Sequence, residues 1–461
     1  MLIRDTLTGG MLDPGGGGGE GPVRIYLCGI TTYDDSHIGH ARTVVVFDVL
    51  RRHLAGLGTE SVLVQNFTDV DDKIIARSEA ESSTAAQVSQ RYIDRYFEDF
   101  DGLNVGRASG YPRATEHMGE IIGFIRRLEG IGAAYAAPNG VYFDVSRAPR
   151  YGALSKKRTD ELVAGARVEV DESKRNPLDF ALWKLSDAPP SWDSPWGRGR
   201  PGWHIECSAM CGRVPGGTLD IHGGGRDLIF PHHENEMAQS EACTGEPLAR
   251  IWMHVGMVTA GGEKMSKSTG NVVGVRGALA RWGPNVLRIF CLSGHYSKPV
   301  DYTDGAALES LSRWRLAEAG YAEASQAAGE GAAGAAEAAE AGAKFDGALG
   351  DDLNTHLALT AFLSLARDAC RLAAGGELGA EGGAAAAAQI SRMAGVLGLE
   401  FAGADARAVR ALVDRRREMR AAGRYAEADA ARDELAGMGV ELVDRGGRTV
   451  WIPRERVPGE G

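Results

Sequence analysis

The sequence contains no long hydrophobic run and no excess of positive charge. No apolar stretch in the 461 residues approaches the ~20 residues that a transmembrane helix needs, which argues against a membrane-spanning protein. The first ten residues, MLIRDTLTGG, lack the apolar core of a secretory signal, so we expect a cytoplasmic protein. The net charge of -11 excludes a surface that is basic all over, but it allows a local basic face.

Cysteine is also scarce. In a long chain without a secretory signal, disulfides are not expected, and most cysteines should be small buried hydrophobic residues. Those with suitable neighbours are candidate thiolate ligands of a metal. The six cysteines are Cys28, Cys207, Cys211, Cys243, Cys291 and Cys370. The length of the chain predicts two to four domains.

Residues 23–50 carry the first recognisable folding pattern. Alternating apolar residues at 23–27 predict a strand, and Phe47 and Leu50 fall at helical spacing, although three consecutive valines before them mildly favour a strand. A further apolar run at 62–64 predicts a second strand. A strand–helix–strand unit places a helix N-terminus beside a strand end, where free N–H groups and the helix dipole suit a phosphate.

Two short motifs are candidates for phosphate chemistry. His37-Ile38-Gly39-His40 opens the predicted helix, and its histidines can donate hydrogen bonds to phosphate oxygens. Taken alone, two histidines at a helix start are more often ordinary capping or surface residues. Lys264 and Lys267 lie in a polar, glycine-flanked loop at 264–268. Two cations on a mobile loop can neutralise the charge that grows on a departing pyrophosphate.

Together these motifs resemble the HIGH and KMSKS signatures of class I aminoacyl-tRNA synthetases. The sequence is most similar to the cysteinyl-tRNA synthetase family, and the similarity covers nearly the whole chain. The stretches that carry it are NFTD at 66–69, NPLDF at 176–180, GWHIECSAM at 202–210, FPHHENE at 230–236 and WMH at 252–254. Ile30, where the family often has proline, departs from the pattern near the site.

The resemblance implies an α/β fold with a Rossmann-like nucleotide-binding catalytic domain, followed by a helical tRNA-binding domain and a small α+β piece. The Ala/Gly-rich stretches at 324–343 and 373–388 are compatible either with helix or with a flexible connection, and the sequence does not decide between the two. The expected bounds are 1–304 for the catalytic domain with an insertion at about 110–201, 305–403 for the anticodon-stem-binding domain and 404–461 for the anticodon-binding domain.

The resemblance also implies one zinc ion per chain, bound by Cys28, Cys207, His232 and Glu236. His232 and Glu236 are four residues apart and would share a helix face, and two thiolates, an imidazole and a carboxylate form a legitimate zinc set. Spacing alone would favour buried cysteines and a surface His/Glu pair. We expect Cys211 to be a core residue. His233 is expected next to the ligands or the nucleotide, but not as a ligand.

ATP with Mg²⁺ and L-cysteine are the small substrates that the resemblance implies. Residues 218–222 predict a strand, and the glycines after it a tight turn near the nucleotide. Thr68, Trp203 and Asp227 would place the amino and carboxylate ends of cysteine. The catalytic candidates are His37, His40, Lys264 and Lys267, and the ATP-binding candidates are Ile30, Gly39, His40, Gly223, Gly224, Gly225 and Lys267.

The implied function is ATP-dependent activation of cysteine and its transfer to the 3′ end of cysteine tRNA, by a protein expected to be monomeric. An alternative is a cysteine ligase of the mycothiol-pathway type that transfers the adenylate to a small amino sugar, but the segment 415–451 favours tRNA. A non-catalytic RNA-binding relative is disfavoured by the intact motifs. Candidate tRNA-binding arginines are Arg415, Arg416, Arg420 and Arg424.

Overall fold

The computed structural model contains two compact units. The described residues are 1–16, 21–158, 173–212, 214, 217–265, 270–445 and 448–460. The first unit comprises Met1–Thr43, Leu54–Asp101 and Gly106–Met257, and the second comprises Val44–His53, Gly102–Val105 and Val258–Gly461. The domain bounds expected from the sequence stay predictions.

The first unit contains most of the strands. Its strands are β1 (Ile3–Arg4), β2 (Met11–Leu12), β3 (Val23–Thr31), β4 (Ser61–Thr68), β5 (Ala134–Ala137), β6 (Gly140–Phe143), β7 (Phe180–Leu185), β8 (Gly199–Pro201), β9 (Leu219–Gly225) and β10 (Ala249–Val255). The helices that lie wholly or partly in it are α1 (Ile38–Gly56), α2 (Asp72–Ala80), α3 (Ala85–Gly102), α4 (Met118–Gly130), α5 (Trp203–Cys211) and α6 (Glu234–Thr244).

A four-stranded parallel sheet forms the centre of the first unit, in the order β10-β9-β3-β4. The predicted strand–helix–strand unit is confirmed as β3, α1 and β4, since parallel neighbours require a crossover connection. The three valines at 44–46 lie inside α1 and are buried, so tertiary packing overrides their preference for strands.

The predicted tight turn at 223–225 is wrong. Gly223, Gly224 and Gly225 continue β9 and pair with Met253, His254 and Val255 on β10. A Cβ on Gly224 would lie 2.8 Å from Cδ1 of Leu228 and 3.0 Å from Cε1 of His233. The sequence requires glycine here because side chains crowd the strand, and not because the chain turns.

The expected insertion contains a second sheet. Strands β5, β6, β7 and β8 form an antiparallel sheet in that order, preceded by α4. The rings of Phe143 and Phe180 stack with their centroids 5.0 Å apart, and Trp183 is completely buried. These residues belong to the same hydrophobic cluster as Tyr26 of β3 and Ile205 of α5, so the insertion packs into the core of the first unit.

The second unit is mainly helical. Its helices are α7 (Val275–Leu292), α8 (Asp304–Ser325), α9 (Ala335–Gly350), α10 (Thr355–Ala374), α11 (Ala380–Leu397), α12 (Ala406–Ala421) and α13 (Tyr425–Gly437). Its strands are β11 (Val258–Ala260), β12 (Glu263–Lys264), β13 (Val300–Tyr302), β14 (Val440–Arg445) and β15 (Arg448–Pro453). Most of the Ala/Gly-rich sequence is therefore helix, as the high helix propensity of alanine favours.

A buried ion pair joins α1 to α7 within the second unit. The guanidinium of Arg288 on α7 lies 2.6 Å from a carboxylate oxygen of Asp48 and donates further hydrogen bonds to the carbonyl oxygens of Leu397 and Leu103.

None of the helices in the described part of the chain combines the length and apolarity needed to cross a membrane.

Candidate active site

The structure brings the four predicted zinc ligands together. Cys28 lies on β3, Cys207 on α5, His232 in the turn Ile229–His233, and Glu236 in the first turn of α6. One ligand atom from each residue lies within 4.8 Å of those of the others, and all four side chains are buried. A cluster of this composition is suited to a metal ion.

The distances within this cluster are short. Sγ of Cys28 is 3.9 Å from Sγ of Cys207 and 3.4 Å from Oε1 of Glu236. Nε2 of His232 is 2.8 Å from the same Oε1. Two sulfurs, one imidazole nitrogen and one carboxylate oxygen therefore face a common point, and this donor set fits the borderline-soft Zn²⁺ ion.

Burial and mutual contact shift the pKa values of the cluster. Burial raises the pKa of the Cys28 thiol well above its ordinary value. A hydrogen bond from Cys28 lowers the pKa of Cys207 to about 6, against the effect of burial. Burial alone would lower the pKa of His232, but the charges of Glu236 and Cys207 outweigh it and raise the pKa to about 10. Contact between the two thiols thus favours the thiolate form of Cys207 over that of Cys28.

A second possible set of metal ligands overlaps the first. It consists of Cys28, His222, His233 and Glu236, whose ligand atoms also lie within 4.8 Å of one another. His222 lies on β9 and was missed in the sequence, although its place in a strand before three glycines was a usable signal. Nε2 of His222 is 3.2 Å from Oε2 of Glu236.

The HIGH motif lies where the sequence predicts, at the start of α1. The rings of His37 and His40 stack with centroids 3.7 Å apart and planes 19° apart. The backbone N–H of Gly39 donates to Nδ1 of His37 over 3.1 Å. The structure thus brings the two histidines together at a helix N-terminus, while Ile30 is a buried residue of β3.

Of the three candidates for binding the substrate ends, Trp203 lies against the metal cluster. Trp203 is 37% exposed, and its indole stacks on His232 with ring centroids 4.2 Å apart. Thr68 is buried at the end of β4, where the amide of Asn66 lies 3.5 Å from its hydroxyl. Asp227 is exposed in the turn Arg226–Leu228 next to Gly225.

Glu206 is a buried acid that the sequence analysis did not single out. It directly precedes Cys207 on α5, and burial raises its pKa well above the ordinary value, while a hydrogen bond from Thr68 acts in the opposite direction. The signal that could have found it is its place within the GWHIECSAM stretch.

The KMSKS loop is only partly described. Lys264 is exposed on β12 in the second unit, whereas Lys267 lies outside the described residues. The pairing of two cations expected on this loop therefore stays a prediction.

Comparison with known families supports the resemblance that the sequence motifs indicate. Residues 18–312 match the family model described as tRNA synthetases class I (C) catalytic domain, and residues 344–402 match the DALR domain. A cysteine–tRNA ligase from Thermococcus kodakarensis is 44% identical over 452 residues, covering 94% of this chain and 95% of the relative. One from Alkalilimnicola ehrlichii is 46% identical over 449 residues, with the same coverage.

Solved structures with low sequence identity show the same fold. Methionyl-tRNA synthetase from Mycobacterium tuberculosis in complex with methionyl-adenylate has a TM-score of 0.60 and 17% identity, covering 82% of this chain and 89% of that one. A leucyl-tRNA synthetase complex from Agrobacterium radiobacter K84 has a TM-score of 0.61 and 11% identity, covering 83% of this chain and 85% of that one. The chain belongs to the cysteine–tRNA ligase family of class I tRNA synthetases.

Proposed function

We propose that this chain activates L-cysteine with ATP, transfers it to cysteine tRNA, and selects cysteine through a zinc ion bound by Cys28, Cys207, His232 and Glu236. The observation that carries the proposal is the burial of these four ligand atoms within 4.8 Å of one another. Family membership supplies the reaction class and its substrates: an amino acid, ATP and a tRNA.

Donor chemistry favours this set over the overlapping one. The two sets share Cys28 and Glu236, so they differ only in Cys207 and His232 against His222 and His233. The first set therefore has two thiols and the second has one, and thiolates are preferred zinc ligands.

The metal addresses a selection problem that hydrogen bonds solve poorly. Cysteine and serine differ by one atom, and pockets of ordinary polar contacts separate such analogues weakly. A free thiol has a pKa near ~8.5 and ionises readily, whereas a hydroxyl stays protonated. Zinc bound here would supply a borderline-soft Lewis acid that favours a thiolate over a hydroxyl.

Adenylation then needs positioning and charge stabilisation from the chain. The α1 N-terminus, Gly39 and the imidazoles of His37 and His40 form a phosphate-binding group. The substrate carboxylate attacks the α-phosphate of ATP, and pyrophosphate leaves. Lys264 and Lys267, with Mg²⁺, would offset the charge on the leaving group, so no side-chain nucleophile is required.

Residues around the metal cluster are the candidates for binding the amino and carboxylate groups of cysteine. Trp203, stacked on His232, would pack beside the cysteine backbone, and Thr68 and Asp227 would bind its amino group. The ATP base and ribose would lie along Ile30 and the glycine strand 223–225. The 3′ hydroxyl of tRNA then attacks the adenylate, and the similarity of nearly the whole chain to cysteine–tRNA ligases supports tRNA over a small amino sugar as acceptor.

Metal analysis of matched cysteine variants tests the proposal. Wild type, Cys28→Ser and Cys207→Ser are compared with Cys211→Ser, which changes a buried cysteine one turn further along α5. We expect one zinc per chain in wild type and Cys211→Ser, and loss of zinc in the other two. Full zinc content in Cys207→Ser would contradict the ligand assignment.

A kinetic assay with the same proteins tests the reaction. ATP–pyrophosphate exchange should depend on cysteine and should not occur with serine, and the two ligand variants should lose it. If cysteine supports exchange but cysteine tRNA does not accept the amino acid while an amino sugar does, the acceptor assignment is wrong.

A further inference from the structure

The two oxygens of Glu236 have different neighbours. Oε1 lies 2.8 Å from Nε2 of His232 and 3.4 Å from Sγ of Cys28, which places it inside the proposed ligand set. Oε2 points the other way, 3.2 Å from Nε2 of His222. The carboxylate thus separates a metal-facing side from a histidine-facing side.

Oε2 is a buried oxygen that requires a donor. It has almost no solvent contact and no well-aligned hydrogen bond among the described residues, although the His222 nitrogen is within reach. An unsatisfied buried acceptor costs about 1–3 kcal/mol, and more when it is charged. A slight rotation of either side chain would align the His222 N–H with this oxygen.

The surroundings of His222 determine which nitrogen carries its proton. Nε2 faces the carboxylate oxygen Oε2 of Glu236, which accepts hydrogen bonds, and lies 3.7 Å from Sγ of Cys28. Nδ1 faces Sγ of Cys211 at 4.0 Å, and this thiol can donate a weak hydrogen bond to it. The proton therefore belongs on Nε2.

Neighbouring rings hold His222 in this orientation. Its ring stacks on Tyr26 with an interplanar angle of 2° and a centroid distance of 5.3 Å. The rings of His222 and Trp252 lie 4.6 Å apart between centroids with their planes at 64°, and His222 is completely buried. A ring clamped in this way directs its N–H along one line.

We propose that His222 is a positioning residue for the metal site: its Nε2–H binds Oε2 of Glu236, so that Oε1 alone faces the metal. The inference rests on the proposed function, because it assumes that Glu236 is a ligand. Partners that orient metal ligands typically contribute 10–100-fold to metal affinity. This role differs from that of a direct ligand, which the overlapping set would make of His222.

Two substitutions separate these roles. His222→Phe keeps an aromatic ring between Tyr26 and Trp252 but removes the N–H donor. His222→Gln loses the ring but places an amide N–H near the position of Nε2, and an amide is a poor zinc ligand. The control is His254→Gln, because His254 is buried in the same group of histidines and bonds to His233 and Thr6, but belongs to neither metal set.

The measurement is the zinc affinity of the full chain, obtained by competition with a chromophoric chelator, with thermal unfolding of each variant as a check of folding. We expect His222→Phe to bind zinc about 10–100-fold more weakly than wild type. His222→Gln and His254→Gln should stay close to wild type. His222→Ala, which adds no bulk, replaces the phenylalanine variant if that protein does not fold.

Each remaining outcome overturns the inference. Unchanged affinity in His222→Phe would show that Glu236 needs no such partner. Equal loss in the Phe and Gln variants would indicate a direct ligand, and equal loss in His254→Gln would indicate general packing. If wild type binds no zinc, the proposed function itself fails, and this result is distinct from the others.

Discussion

Cys207 and Cys211 show how tertiary surroundings distinguish two identical residues on one helix. Both are buried on α5, one turn apart. Contact with Cys28 lowers the pKa of Cys207, whereas burial raises that of Cys211 well above its ordinary value. In the sequence, only the family resemblance separates the two cysteines, since spacing alone would equally pair them with each other.

Lys267 provides a test at the scale of a single residue. Lys267→Ala should lower the rate of adenylation by about 10²-fold, because one positive charge that would offset the charge on the leaving pyrophosphate is lost, while the affinity for cysteine stays nearly the same. ATP–pyrophosphate exchange and cysteine binding measure the two quantities. Lys298→Ala, which removes an exposed lysine outside the motif, should change neither. A large loss of cysteine affinity in Lys267→Ala would contradict a role limited to the transition state.

At the scale of elements, glycine determines how closely two helices approach. A Cβ on Gly320 of α8 would lie 2.4 Å from the carbonyl oxygen of Ala366 on α10. Gly347, exposed in the last turn of α9, has no atom within 4 Å of such a Cβ. Both glycines look alike in the sequence, as breaks in an alanine-rich pattern, and only the packing of the helices distinguishes them.

Alanine substitutions at these two glycines should have opposite effects. Gly347→Ala should stabilise the protein by about 0.5–1 kcal/mol, because alanine favours helix more than glycine does. Gly320→Ala gains the same propensity but must push α8 from α10, so a net loss of about 1–3 kcal/mol is expected. Thermal unfolding measures both. If Gly320→Ala is as stable as Gly347→Ala, the close approach of α8 and α10 is not required.

At the scale of the whole molecule, an acidic chain must bind an acidic tRNA. With a net charge of -11, attraction has to come from local basic groups. Of the four candidate arginines, Arg416 and Arg420 bind Asp444, and Arg424 binds Glu427. Arg415 is exposed, and no ion pair to it occurs among the described residues.

Arg415 is therefore the candidate to test for phosphate binding. Arg415→Ala should weaken binding of cysteine tRNA and reduce the slope of log affinity against log salt by about 1, because one phosphate contact is lost. Fluorescence anisotropy over a salt series measures both. Arg417, which points about 200° away around the helix and pairs with Asp414, provides the control. Equal slopes for wild type and Arg415→Ala would place the tRNA contact elsewhere.

The sequence by itself determined the features that depend on residues close together in the chain, namely individual helices and strands and short motifs. Apolar alternation and helical spacing predicted β3, α1 and β4, and alanine content favoured helices in the second unit, because these depend on neighbours within a few residues. The motifs and the family resemblance supplied the candidate ligands and the α/β fold. The prediction of a turn at 223–225 was wrong because it took glycine as a sign of a local chain reversal, whereas glycine is needed there by side chains from other parts of the chain.

Only the tertiary structure decided which side chains meet. Cys28 reaches Cys207 and Glu236 across 179 and 208 residues of chain, and His222 joins them from a fourth element. Such contacts depend on the order of strands in the sheet and on the close approach of helices to it. Periodicity records which face of an element is buried, but not which residue of another element it is buried against.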